Sequence, residues 1–175
     1  IPKLKKVKGI DYTFYDSSIE ELDLSILFAS NSIEEIIFPM DGDIENDSAF
    51  EISLSNMQDN TVLRKLDIRH CHIRNIDEVG ERPYFIADLP ELRNYANSFL
   101  SRFKAMEEIC VADCGLDDLE FVRSMPELRV IDLSDNSVSD ISPLLDCKKL
   151  EKVICTNNGL VNTSILPEDV VVIGN

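Results

Sequence analysis

Between residues 63 and 160 one pattern returns four times in register, and it leaves the chain little choice of architecture. Leu63-x-x-Leu66-x-Ile68-x-x-Cys71-x-Ile73 is followed by Met106-x-x-Ile109-x-Val111-x-x-Cys114-x-Leu116. Leu128-x-x-Ile131-x-Leu133-x-x-Asn136-x-Val138 and Leu150-x-x-Val153-x-Cys155-x-x-Asn158-x-Leu160 complete the set. The last three units start 22 residues apart. A repeat this short cannot bury its apolar face alone, so neighbouring units must stack into a solenoid.

Within each unit, apolar positions four and six alternate with outward positions three, five and seven, as in a short strand with one buried face. Successive units place these strands side by side in parallel. Position nine, Asn or Cys, falls where the chain turns inward, and an Asn amide there can satisfy turn backbone that would be costly to leave unpaired. Cysteine is small and readily buried, so it can substitute. Asn136, Asn158, Cys71 and Cys114 are therefore expected to be buried, and so is Leu133 at position six. After the strand, Leu116, Leu119, Val122 and Met125 recur at spacing three, as do Val138, Ile141 and Leu144. That spacing predicts 3₁₀ or extended return segments, which Pro126 and Pro143 also suit.

The stretch Leu133-Ser-Asp-Asn136-Ser-Val-Ser-Asp-Ile141-Ser-Pro143-Leu144 resembles the 22-residue class of leucine-rich repeats, found in a regulatory subunit of protein phosphatase 1 and in bacterial internalins. The resemblance covers about residues 63–175 with one interruption. It implies an α/β solenoid with a parallel concave sheet, short 3₁₀ or extended convex segments and a concave surface that binds other proteins. The expected division is irregular N-terminal repeats and a cap over 1–60, a repeat at 63–76, regular repeats at 106–160 and a C-terminal cap at 161–175.

The interruption lies between Leu63 and Met106. Residues 77–105 read as an insertion or a degenerate repeat, the insertion being favoured because a unit starting near residue 85 would bury Asp88. Leu89, Leu92, Tyr95, Ala96, Phe99, Phe103 and Met106 suggest a helix over 88–106, with Asp88 as N-cap and Pro90 early. It would serve as convex core or as a protrusion for a partner. Nearer the N-terminus, Ile19-x-x-Leu22-x-Leu24 and Ile33-x-x-Ile36-x-Phe38 both look like repeat strands, and Ile19 lies two periods before Leu63. Phe50-x-Ile52-x-Leu54 is another alternating strand, and residues 41–48 form an acidic loop.

Charge and chemistry narrow the function. The formal net charge is −16, and without the four lysines of the first eight residues it would be −20. That disfavours nucleic acid and anionic membranes and favours a basic partner. Five cysteines without paired spacing suggest reduced thiols in a cytoplasmic setting. Residues 1–10 lack the apolar core of a signal peptide. His70-Cys71-His72 has no four-ligand zinc spacing, and the acidic run 41–47 lacks the spacing and distal Glu of a calcium loop. Glu107-Glu108 and Asp117-Asp118 are acid pairs without a visible cleft. No catalytic group, metal or cofactor is expected. The chain is expected to be a binding scaffold or regulatory subunit rather than an enzyme. A surface adhesion module of internalin type, or the binding part of a larger enzyme, are the alternatives.

Positions three, five, seven and eight should project from the concave sheet. In the first unit these are Lys65, Asp67, Arg69 and His70, and in the second Glu108, Cys110, Ala112 and Asp113. In the third they are Val130, Asp132, Ser134 and Asp135, and in the fourth Lys152, Ile154, Thr156 and Asn157. Cys110 is the cysteine expected to be open to solvent. The expected partner is a protein with a basic, partly apolar surface, drawn to Val130, Cys110 and Ile154 among Glu108, Asp113, Asp132 and Asp135.

Overall fold

The computed structural model describes residues 4–8, 25–37, 57–70, 96–159 and 161–174, together with the strand backbones at 49–52 and 72–75. Among the described residues nine short strands form two sheets: β1 (Lys6–Lys8), β2 (Glu35–Ile37), β3 (Ala49–Ile52), β4 (Lys65–Asp67), β5 (His72–Asn75), β6 (Glu108–Cys110), β7 (Val130–Asp132), β8 (Lys152–Ile154) and β9 (Val171–Ile173). Seven of them run in parallel in the order β1-β2-β4-β6-β7-β8-β9, and β3 pairs in parallel with β5. The large sheet is open. Its central residues Ile36, Leu66, Ile109, Ile131 and Val153 stack in register and are buried. This is a leucine-rich-repeat solenoid.

The return segments after β6, β7 and β8 contain 3₁₀ turns, at Glu120–Ser124, Ser142–Asp146 and Thr163–Ile165. Pro143 sits in the first turn of the second, where a missing N–H costs nothing. Leu116, Leu119, Val122, Met125, Val138, Ile141 and Leu144 are all buried, as spacing three requires of such turns.

Position eight shows why each unit reverses where it does. His70, Asp113, Asp135 and Asn157 all have left-handed backbone, with φ between 52° and 62°. His, Asp and Asn are the residues other than glycine that tolerate this conformation best. The turn brings the position-nine side chain inward. Asn136 Oδ1 accepts from the N–H groups of Cys114 (3.2 Å) and Leu116 (2.9 Å). Its Nδ2 donates to the carbonyls of Val111, Leu133 and Ser134 at 2.9–3.0 Å. Cys114 is buried and its thiol donates to Ile68 O. Asn158 makes the same kind of contacts, to Leu133, Cys155 and Thr156 carbonyls and from Val138 N–H, but is only half-buried rather than buried as expected. One shorter unit, ending in β9, follows it in the sheet. Cys71 lies outside the described residues.

Other expectations change in the irregular half. Residues 96–100 are helical, but the helix does not run to 106: the chain passes through turns at 101–105, and Phe103 forms a parallel bridge with Asn60. Three-residue backbone bonds, Arg102 N–H to Phe99 O and Phe103 N–H to Leu100 O, tighten and end it. The start of that expected helix, including Asp88 and Pro90, lies outside the described residues. Phe99 and Phe103 pack on Phe28 as buried core. Strand β4 pairs directly with β6, so the 43 residues between Lys65 and Glu108 separate adjacent strands of the sheet. Upstream, the unit beginning at Ile33 supplies β2, which pairs directly with β4. Residues 19–24 and the acidic loop lie outside the described residues, while Phe50 and Ile52 fall within β3.

The buried Asn60 does for the irregular part what Asn136 does for the regular part. Its Nδ2 donates to Phe28 O (2.7 Å) and Ser30 O (3.2 Å), while Oδ1 accepts from Val62 and Leu63 N–H, both at 2.8 Å.

Candidate functional site, the concave sheet

Each short strand turns its middle residue into the core and its two outer residues toward solvent. The outer residues form two rows. Position three carries Lys6, Glu35, Lys65, Glu108, Val130, Lys152 and Val171, and position five carries Lys8, Ile37, Asp67, Cys110, Asp132, Ile154 and Ile173. The order of residues along these rows splits the surface into two halves.

In the N-terminal half charge alternates from strand to strand. Lys5 and Lys6 face Glu34 and Glu35, and Arg64 and Lys65 face Glu107 and Glu108, with an ion pair at each of the four positions. The alternation continues at position two with Arg129 and Glu151, paired at 2.8 Å. Glu34 and Glu151 are held below the usual carboxylate range, by Lys5 and Arg129 respectively. Exposed pairs of this kind add little stability singly. Like-charged neighbours across strands are unfavourable, however, so the alternation helps specify which strand lies beside which. Glu34→Lys together with Glu35→Lys is expected to lower the thermal midpoint, more at low salt than at high salt. An equal loss at both salt concentrations would show that packing, not charge order, was disturbed.

Most of the expected concave residues lie where the repeat frame puts them, but their surroundings alter the chemistry. Glu108 is paired with Lys65. Asp67 receives two bonds from the Arg69 guanidinium at 2.6 and 2.9 Å. Asp113 meets His70 Nδ1 at 3.0 Å, and Asp135 accepts from Asn157 Nδ2 at 2.7 Å. Asp132 accepts from Ser134 N–H (3.1 Å) and Oγ (2.7 Å). Among the described residues Asp132 and Asp135 form no ion pair. Val130, Lys152, Ile154 and Thr156 are half-buried.

Two expected surface residues, Ala112 and Ser134, are buried instead. They sit at position seven, and side chains this short cannot rise clear of strands spaced about 4.8 Å apart. Cys110 is a second correction. Half-buried in its row between Asp67 and Asp132, its thiol is pushed up to about 12, by burial first and by those two carboxylates in addition. Cys147 is pushed up to about 11, and Cys155 is also raised, both by burial. At pH 8 Cys110 is therefore expected to react with a thiol reagent much more slowly in the native chain than in urea. Equal rates in the two conditions would refute that assignment.

Val171 and Ile173, at 57% and 45% exposure, extend the same rows on β9. The segment falls in the expected C-terminal cap at 161–175, and the 19 residues from Lys152 to Val171 are shorter than the 22-residue period. The apolar, β-branched run Val170 to Ile173 was the available signal.

No group of three or more His, Cys, Asp or Glu side chains among the described residues is placed to hold a metal ion. Among them, no helix is long and apolar enough to cross a membrane.

Comparison with known proteins agrees with this architecture. A sequence profile described as leucine-rich repeats in two copies matches residues 126–168. The fold is similar to the crystal structure of internalin C2 from Listeria monocytogenes, with a TM-score of 0.53 at 12% identity. That match takes in 82% of this chain and 52% of the internalin chain, so the present chain spans about half the length of that protein. No curated protein sequence matches it. The chain therefore folds as a leucine-rich-repeat solenoid similar to that of internalin C2, and its residues 126–168 match the leucine-rich-repeat profile.

Proposed function

We propose that this chain is a non-catalytic protein-binding module, a scaffold or regulatory subunit of the cytoplasm, that holds a basic and partly apolar protein on its concave sheet. The observation that carries this reading is Asp132, on the exposed row of a rigid strand and without an ion pair among the described residues. It stands beside the solvent-facing Ile154 of the next strand. Strands fixed by the solenoid lose little entropy on binding, and a net charge of −16 attracts basic partners from a distance. Five cysteines without paired spacing fit a reducing compartment.

The test begins with affinity purification from the source cell and mass spectrometry, followed by binding of the purified partner to variants. Asp113→Asn with Asp132→Asn, which keeps a residue suited to the left-handed turn at 113 and an acceptor for Ser134, is expected to weaken binding severalfold and to leave the thermal midpoint nearly unchanged. Leu145→Asp, on the convex turn, is expected to bind normally. The opposite pattern would move the site to the convex side.

A further inference from the structure

We infer that the partner footprint is confined to the C-terminal end of the concave sheet, β7 to β9. We further infer that it takes an extended protein segment of the form basic-x-apolar, a Lys or Arg followed two residues on by an aliphatic or aromatic side chain. This rests on the concave reading above and specifies its location and chemistry.

The N-terminal half of the sheet satisfies most of its own charges. From β1 to β6 the position-three row consists of Lys6, Glu35, Lys65 and Glu108, paired with one another. Asp67 in the position-five row is held by Arg69. A partner binding there would have to displace ion pairs that already satisfy each other, for little net gain. Beyond β6 the alternation persists at position two, in Arg129 and Glu151, but stops in the position-three and position-five rows. Val130, Lys152 and Val171 face one another across the strands at position three, and Asp132, Ile154 and Ile173 do so at position five. Four of these six side chains are aliphatic. All four reach solvent, and the most exposed, Val171 and Ile173, lie on β9.

Spacing then sets the partner's chemistry. Neighbouring strands are about 4.8 Å apart, so Ile154 and Ile173 lie about 5 and 10 Å from Asp132 along the row. In an extended segment crossing the strands, side chains on one face recur every two residues, or about 6.6 Å. A cation on Asp132 thus places the second side chain between Ile154 and Ile173. Asp135, at the turn after β7 and also without an ion pair among the described residues, adds negative potential beside that cation site.

A random-peptide display library selected against the 175-residue chain tests this directly. Enrichment of basic-x-apolar sequences is expected. In fluorescence anisotropy with a selected peptide, Asp132→Lys and Ile173→Asp should each weaken binding by about tenfold or more. Lys65→Ser with Glu108→Ser should change it less than about twofold, with thermal melts reporting intact folding throughout. Asp132→Asn, which keeps the size of the side chain, should weaken binding in the same direction. If only the Lys65 and Glu108 variant loses binding, the C-terminal footprint falls while the concave reading stands. If only Leu145→Asp on the convex turn loses it, both fall. Selection without the basic-x-apolar pattern overturns the assigned chemistry. Self-association abolished by Ile173→Asp would give the patch to a second copy of the chain and overturn the peptide occupant.

Discussion

Asn136→Ala is expected to cost about 3–5 kcal/mol, far more than a surface change, because each buried backbone group it leaves unpaired costs about 1–3 kcal/mol. The amide serves five such groups: the N–H of Cys114 and Leu116 and the carbonyls of Val111, Leu133 and Ser134. These belong to two successive units, so the single side chain bonds one turn to the next. Alanine supplies no donor or acceptor, and the buried turn gives water little room to replace one. Urea unfolding followed by circular dichroism measures the loss. Asn158→Ala provides the internal comparison, since that amide is half-exposed and water can reach the groups it releases. Its cost should be smaller, about 1 kcal/mol. Equal costs at the two positions would mean that burial does not set the value of the ladder.

The regular repeats were legible because period and burial coincide there. A 22-residue unit with Leu128, Ile131 and Leu133 at fixed offsets admits one register, and β7 and β8 stand in it. The 3₁₀ returns followed from the spacing of Leu116, Leu119, Val122 and Met125. The irregular half was less legible, because sheet neighbours there are set by pairing rather than by period. Glu35 and Lys65 are adjacent across the sheet although 30 residues apart, and Ile33, not the two-period position Ile19, begins the unit that pairs with β4. The alternating charges of β1, β2, β4 and β6 carry that information, but they can be read only once a register is assumed. At the candidate site, the row positions of Asp132, Ile154 and Cys110 followed from the repeat frame. Their environments did not. The same frame position is half-exposed for Arg69, whose side chain is long, and shaded for Ala112 and Ser134. Glu108 was legible as a surface acid but not as the partner of Lys65, since 43 residues separate them in sequence.

Phe99→Ala is expected to cost about 3–5 kcal/mol, the range for truncating a fully buried aromatic side chain. Its ring meets Phe28 edge-on at 4.8 Å between centroids and Phe103 at 5.0 Å. Phe28 precedes β2, whereas Phe99 and Phe103 lie between β4 and β6, so the cluster joins units that do not share the 22-residue spacing. Asn97 extends the same contact toward the regular repeats. Its Nδ2 donates to Asp118 Oδ1 at 2.7 Å, and its Oδ1 accepts from Phe121 N–H at 3.2 Å. In a solenoid, cooperativity passes from unit to unit through interfaces of this kind. Removing the ring should therefore do more than open a cavity. The N-terminal units should separate from the C-terminal ones in unfolding, giving a broader transition with a smaller apparent m-value. Phe99→Leu keeps much of the volume and should cost less, about 1–2 kcal/mol, with the transition still single. A loss below about 1 kcal/mol for Phe99→Ala, with the m-value unchanged, would mean that the sheet alone carries the coupling between the two halves.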